Sequence, residues 1–198
     1  MQTVDARGLA CPGPVLETKK MLESMKEGEL EVLVDNEVSR DNVLKLANAG
    51  GHSANAEKRA GGYAVTITKS NLVTGAVEGI FSGNDNMPLV VLIKSGVFGS
   101  GDDDLGRILM RSFLFTLTEL DKDIKAVILM NSGVFLALEG SEVLDTLTTL
   151  QGRGTEVLVC GTCLDFYEKK NQLRVGSVTN MYSSLDYLSM DGVKTIVI

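Results

Sequence analysis

Four short apolar runs constrain this chain more than any other feature. They are Leu89-Val90-Val91-Leu92-Ile93, Ala126-Val127-Ile128-Leu129-Met130, Val157-Leu158-Val159 and Thr195-Ile196-Val197-Ile198. A strand that is apolar on both faces must be covered on both, which is the setting of a parallel sheet flanked by helices. Helical stretches separate the runs, at about 103–120, 141–151, 164–170 and 180–189. In the first of these, Leu105, Ile108, Leu109 and Ser112 are expected to face inward. This part of the chain reads as an α/β domain with a mostly parallel sheet and right-handed crossovers.

Residues 1–70 follow another plan. Thr3-Val4-Asp5 is a short strand, and a helix runs from about Pro12 to Lys26. Val15, Thr18, Leu22 and Met25 fall on its inner face, while Lys19, Lys20, Glu23 and Glu27 face out. After Gly28, the alternation of Leu30, Val32 and Val34 with Glu29, Glu31 and Asp35 gives a half-buried strand. Ser39 is the expected cap of a second helix with Val43, Leu46 and Ala47 inward, closing at Gly50-Gly51. Ala54 and Ala56, the Gly61-Gly62 turn, then Tyr63, Val65 and Ile67 read as a hairpin. The order βαβαββ makes a two-layer sandwich of helices on a mixed sheet. From Asn71 to Pro88 periodicity fades into turn residues, with a short helix or strand around Val77–Phe81. The organisation is therefore a first domain over 1–70, a linker over 71–86 and a second domain over 87–198, α/β in both halves.

Composition narrows the function. The net charge is −7, with the acidic excess concentrated in 71–198, which disfavours nucleic acid as a partner. No apolar run approaches the roughly 20 residues of a membrane span. Asp5 and Arg7 stand where a signal peptide would be apolar, so the expected location is the cytoplasm. Three cysteines are too few for a disulfide scaffold, and thiols in a reducing compartment serve catalysis, redox chemistry or metal binding when they are functional.

Cys11 stands out among them. It precedes Pro12 and Pro14 at a helix start, where unpaired amides and the helix dipole favour a thiolate. Pro12 suits the first helical turn, Pro14 stiffens it, and Arg7 is close enough in sequence to add positive charge. A single cysteine is also among the residues most often buried and inert, but a core residue has no use for so rigid a turn. His52, the single histidine, lies near a strand start and reads as structural rather than as a partner of Cys11. Gly96, Gly99, Gly101 and Gly106 match no nucleotide-binding spacing, and Asp102-Asp103-Asp104 fit a helix cap. Cys160-Gly161-Thr162-Cys163 follows a buried strand, at the carboxyl edge where ligands gather in open α/β sheets. It allows a redox pair, or simple packing for Cys163; zinc would need ligands this chain lacks. No cofactor and no metal are called for.

The run Asp5-x-x-Gly8-x-x-Cys11-Pro12-x-Pro14, opening a βαβαββ module, resembles the TusA/SirA-like sulfur carriers. That resemblance implies that Cys11 takes up sulfur as a persulfide, with Pro12 and Pro14 shaping the site and Asp5 and Gly8 supporting its turn. The second half resembles the DsrE-like family, whose members handle sulfur through a cysteine after a strand; Cys160 is the residue matched to it. The two together, with Cys160-Gly161-Thr162-Cys163-Leu164, resemble the YedF proteins linked to selenium metabolism. The implied activity is that of a sulfur or selenium carrier, transferase-like rather than a conventional turnover enzyme. Its partners would be a cysteine desulfurase-type donor, an acceptor protein and further copies of itself through the DsrE-like domain. Lys19, Lys20 and Arg40 offer a docking surface for an acidic partner. Two other classes fit the residues: a thiol-disulfide redox protein using Cys160 and Cys163, and a non-catalytic interaction module of sulfur metabolism.

Overall fold

The computed structural model describes residues 1–69 and 87–198, and the expected linker and the short element around Val77–Phe81 lie outside them. The described chain divides into two compact units, one on either side of that stretch.

The first unit is a mixed four-stranded sheet with two helices. The strands are β1 (Gln2–Asp5), β2 (Gly28–Val34), β3 (Ser53–Arg59) and β4 (Gly62–Lys69), in the order β1-β2-β4-β3. β1 runs parallel to β2, with Asp5 opposite Leu33; the remaining pairs are antiparallel. The hairpin pairs Ala54 with Ile67 and Ala56 with Val65. Helix α1 (Gly13–Ser24) turns Thr18 and Leu22 inward, and α2 (Glu37–Ala49) turns Val43, Leu46 and Ala47 inward. The core joins Leu22, Met25, Val43 and Ala47 to Leu30, Val32, Val34, Val65 and Ile67 of the sheet. The cap of α2 is Asn36 rather than Ser39: the Asn36 side chain accepts from Ser39 N–H at 2.8 Å, and Ser39 is buried within the helix. Gly62, with φ at +145°, passes so close to Val34 that a Cβ would stand 2.0 Å from its carbonyl oxygen.

The second unit has an all-parallel sheet. Its strands are β5 (Leu89–Ile93), β6 (Ile124–Leu129), β7 (Glu156–Cys160), β8 (Ser177–Thr179) and β9 (Lys194–Val197), ordered β8-β7-β6-β5-β9. Alternate side chains enter two cores. Val91, Ile93, Val127, Leu129, Val157 and Val159 pack with helices α3 (Asp103–Glu119) and α4 (Leu144–Gly152). Val90, Ala126, Ile128 and Leu158 pack on the other face, against Tyr187 and Leu188 of α6 (Met181–Leu188). The short α5 (Gly161–Phe166) follows β7 directly, starting earlier than the periodicity from Leu164 predicts. A 3-10 segment over Asn131–Ala137 was not predicted; its residues pack inward at Gly133, Val134, Leu136 and Ala137.

The face of α3 is the reverse of the expected one. Gly106, Met110, Leu114 and Leu117 are buried, whereas Leu105, Ile108 and Leu109 are exposed and Ser112 is half-buried. Both faces of this helix are apolar, so periodicity alone cannot choose between them. Gly106 decides it: a Cβ there would stand 2.9 Å from the Val97 side chain, so only this residue allows the helix to lie so close to the loop. Asp102 caps α3 by accepting from Leu105 N–H at 2.9 Å.

Candidate functional site

The Cys11 turn links β1 to α1, at the edge of the sheet where β2 also ends. Ala6, fully buried, donates its N–H to Leu33 O at 2.9 Å and anchors the start of the turn. Arg7 folds back on Asp5, giving Nε–Oδ1 at 2.8 Å and Nη2–Oδ2 at 2.5 Å, a bidentate pair. Hydrogen bonds from Arg7 hold the Asp5 carboxyl down at about 2. The guanidinium expected to add positive charge at the thiol is thus matched by a neighbouring carboxylate. Gly8 takes φ +74°, a conformation that L side chains rarely adopt, and donates its N–H to Asp35 Oδ2 at 2.9 Å. That amide lowers the Asp35 carboxyl below its usual range. Asp35 Oδ1 also accepts from Asn36 Nδ2 at 2.7 Å, and Asn36 caps α2. The turn is therefore tied to the start of the second helix by one carboxylate.

Cys11 is exposed, and its peptide bond to Pro12 is cis. Pro12 is the residue before α1, and its carbonyl accepts from Val15 and Leu16 N–H at 3.0 and 3.1 Å. Cys11 thus stands one residue ahead of the cap rather than at it. Pro14 is buried in the first turn, where its carbonyl accepts from the Thr18 hydroxyl at 2.7 Å. The expected basic surface is paired locally: Lys19 with Glu23, Lys20 with Glu17, and Arg40 with Asp41 and over the Tyr63 ring at 4.6 Å. His52 is half-buried, its protonation disfavoured by burial and by Lys69. Lys69 binds Leu22 O and Met25 O at the far end of α1, so His52 belongs to that end and not to the Cys11 turn.

In the second unit Cys160 is the last residue of β7 and precedes α5; it is 5% exposed, within the larger core. Cys163 lies within α5 and is half-buried. Its Sγ accepts from Asn131 N–H at 3.1 Å. Burial and a hydrogen bond with the Cys160 side chain push the Cys163 thiol up, and the Asn131 amide opposes them. Asn131 has φ at +48°, uncommon for a residue other than glycine. Its Oδ1 accepts from the Tyr167 hydroxyl at 2.8 Å, and Tyr167 packs on Phe135 with centroids 4.8 Å apart. Asp35, Asn131 and Tyr167 are the residues that sequence reasoning missed. The only sequence signals were a carboxylate ending a strand, an Asn following one, and a Tyr four residues from a Cys.

The fold and site define a two-unit α/β protein, a small sandwich with a thiol on its first turn and a parallel unit with two thiols at a strand end. The comparisons place it further. Residues 2–69 match the profile described as Sulfurtransferase TusA, and residues 87–197 match that of the DsrE/DsrF-like family. The chain belongs to the TusA family through its first unit and to the DsrE/DsrF-like family through its second. A Methanocaldococcus jannaschii protein named "putative sulfur carrier protein" is 43% identical over 54 residues, which are 27% of this chain and 72% of that one. A SirA-like protein from Desulfitobacterium hafniense is 42% identical, over 34% of this chain and 96% of the other, with a TM-score of 0.33. The ychN protein of E. coli is 19% identical, over 56% of this chain and all of the other, with a TM-score of 0.43. Among the described residues no helix is long and apolar enough to cross a membrane.

Proposed function

We propose that this chain carries sulfane sulfur on Cys11 and delivers it to an acceptor, working in a reducing cytoplasm. The observation that carries the reading is an exposed thiol on a turn held in shape by the Asp35–Gly8 bond. Relatives named as sulfur carriers, and the TusA profile over residues 2–69, support it. In the transfer, the Cys11 thiolate attacks the outer sulfur of a donor persulfide, the donor leaves as a thiolate, and Cys11 keeps the persulfide. A cysteine desulfurase-type enzyme is the donor. Asp5, Arg7, Gly8, Pro12 and Pro14 keep the thiol presented. The cargo then passes to a separate acceptor or to the second unit, whose Cys160 and Cys163 are the thiols available to it. Selenium in place of sulfur, as in the YedF proteins, is the companion reading. Self-association through the second unit would cover Leu105, Ile108, Leu109 and Phe115, all exposed on α3.

The test is incubation with a desulfurase and cysteine, followed by intact-mass and peptide analysis. One added sulfur is expected on the Cys11 peptide, and none after Cys11→Ser. Wild-type protein that gains no sulfur at Cys11 would end the carrier reading.

A further inference from the structure

The two thiols of the second unit are unequal in access. Cys160 is 5% exposed and belongs to the core, whereas Cys163 is half-buried at its margin. Cys160 ends β7, and Cys163 lies three residues on in α5, packed against the core to which Cys160 belongs. Asn131 is gripped twice from one short stretch: its N–H lies on Cys163 Sγ at 3.1 Å, and its side chain accepts from Tyr167 at 2.8 Å. Cys163 and Tyr167 are four residues apart, so they point the same way from α5 and the residue that ends it. An Asn at positive φ, pinned by a sulfur on one side and a phenol on the other, is backbone strain held in place at a reactive group.

We infer that Cys163 is the sulfur through which the second unit receives sulfane sulfur, and that Cys160 resolves it, releasing hydrosulfide and leaving a Cys160–Cys163 disulfide. The inference rests on the carrier reading only for the supply of persulfide. In the first step the Cys163 thiolate attacks the outer sulfur of an incoming persulfide. The donor's S–S bond breaks, the donor leaves as a thiolate, and Cys163 holds the persulfide with no net oxidation. In the second step Cys160 loses its proton and attacks Cys163 Sγ. The bond from Sγ to the outer sulfur breaks, and that sulfur departs with the pair of electrons and the proton as hydrosulfide. The sulfane sulfur is reduced by two electrons and two thiols are oxidised to one disulfide, which a dithiol reductant then opens. A resolving thiol needs only to reach its partner, and Cys160 precedes it by three residues where β7 passes into α5. A receiving thiol must be reached from outside, which the burial of Cys160 prevents.

The full chain carrying Cys11→Ser, reduced and freed of reductant, is given glutathione persulfide. Hydrosulfide and peptide masses are followed against a chain with all three cysteines replaced. Release of about one hydrosulfide per chain is expected, with the peptide spanning 160 and 163 losing two hydrogens. Adding Cys160→Ser should cut release at least about tenfold and leave one extra sulfur on Cys163. Cys160→Ala repeats this without a hydroxyl in the core. Adding Cys163→Ser instead should remove both release and adduct. Sulfur found on Cys160 in that variant, or release undiminished without Cys160, would overturn the assignment. Cys11 is absent throughout, so failure here leaves the carrier reading standing, and a Cys11 that gains no sulfur from the desulfurase leaves this result standing.

Discussion

The two units hold sulfur in opposite ways. Cys11 sits exposed on a turn, and what shapes that turn is a carboxylate from the connection between β2 and α2. Cys160 and Cys163 sit where a core strand gives way to a helix, one buried and one half-buried, with a backbone amide on the second. A sulfur that trades with another macromolecule has to be reached from outside. A sulfur that acts on its neighbour has only to be held in place. The first arrangement gives access at the cost of long-range support, and the second gives proximity at the cost of access.

The bluntest way to break this contrast is to unfold one unit and watch the other. Gly62→Ala would drive a Cβ to 2.0 Å from Val34 O, and Gly133→Ala would drive one to 2.4 Å from Ile93 O. Each is expected to cost its own unit at least about 3 kcal/mol, because the obstacle is backbone. Hydrogen exchange resolved by peptide reads each unit separately; if Gly62→Ala loosens residues 87–198 as much as 1–69, the units are not independent. Next in size is thiol access. Native alkylation should modify Cys11 at least about tenfold faster than Cys160, with Cys163 between them and quickening only at higher pH than an ordinary thiol, since its thiol is pushed up. Cys160 modified as fast as Cys11 would contradict the burial described.

A smaller effect is expected at Asp35. Asp35→Ala removes the acceptor of the Gly8 amide and should slow sulfur loading of Cys11 severalfold, while Asp35→Asn, which keeps an acceptor oxygen, should recover most of it. Equal loading in all three proteins would show that the turn needs no such tie. The smallest effect is acid sensitivity. Asp5 is depressed from 3.8 to about 2, so its support of the turn is complete above its ordinary value and disappears only as pH falls through about 2. The Arg7 amide, which donates to Asp5 Oδ1, should therefore keep its resonance as pH falls from about 7 to about 3.5; movement centred near 3.8 would mean that Asp5 is not held by Arg7.

Much of this was legible in the residues. Continuous apolar runs announced a parallel sheet, and the two cores bury β5, β6 and β7 on both faces; β9, at the edge of the sheet, departs from that expectation, with Lys194, Thr195 and Val197 exposed. The cysteine positions relative to strand ends were legible for the same reason. What stayed hidden were choices made by tertiary contact. Asp35 lies 27 residues from the amide it holds, beyond any local signal. The α3 surface has two apolar stripes, and a glycine against Val97, not hydrophobicity, selects the buried one. Asn36 displaced Ser39 as a cap because both residue types suit the position, and the helix starts three residues earlier than a cap at Ser39 implies. β8, only three residues long, is too short to carry a pattern.

Lys69 has a consequence of its own. It is the last residue of β4, and its ammonium clasps Leu22 O at 2.6 Å and Met25 O at 2.7 Å, where α1 ends. A cation there also favours the negative pole of the helix. The start of α1 is thus shaped through Asp35 and its end through Lys69, so two separate strand ends fix the two ends of the helix that follows Cys11.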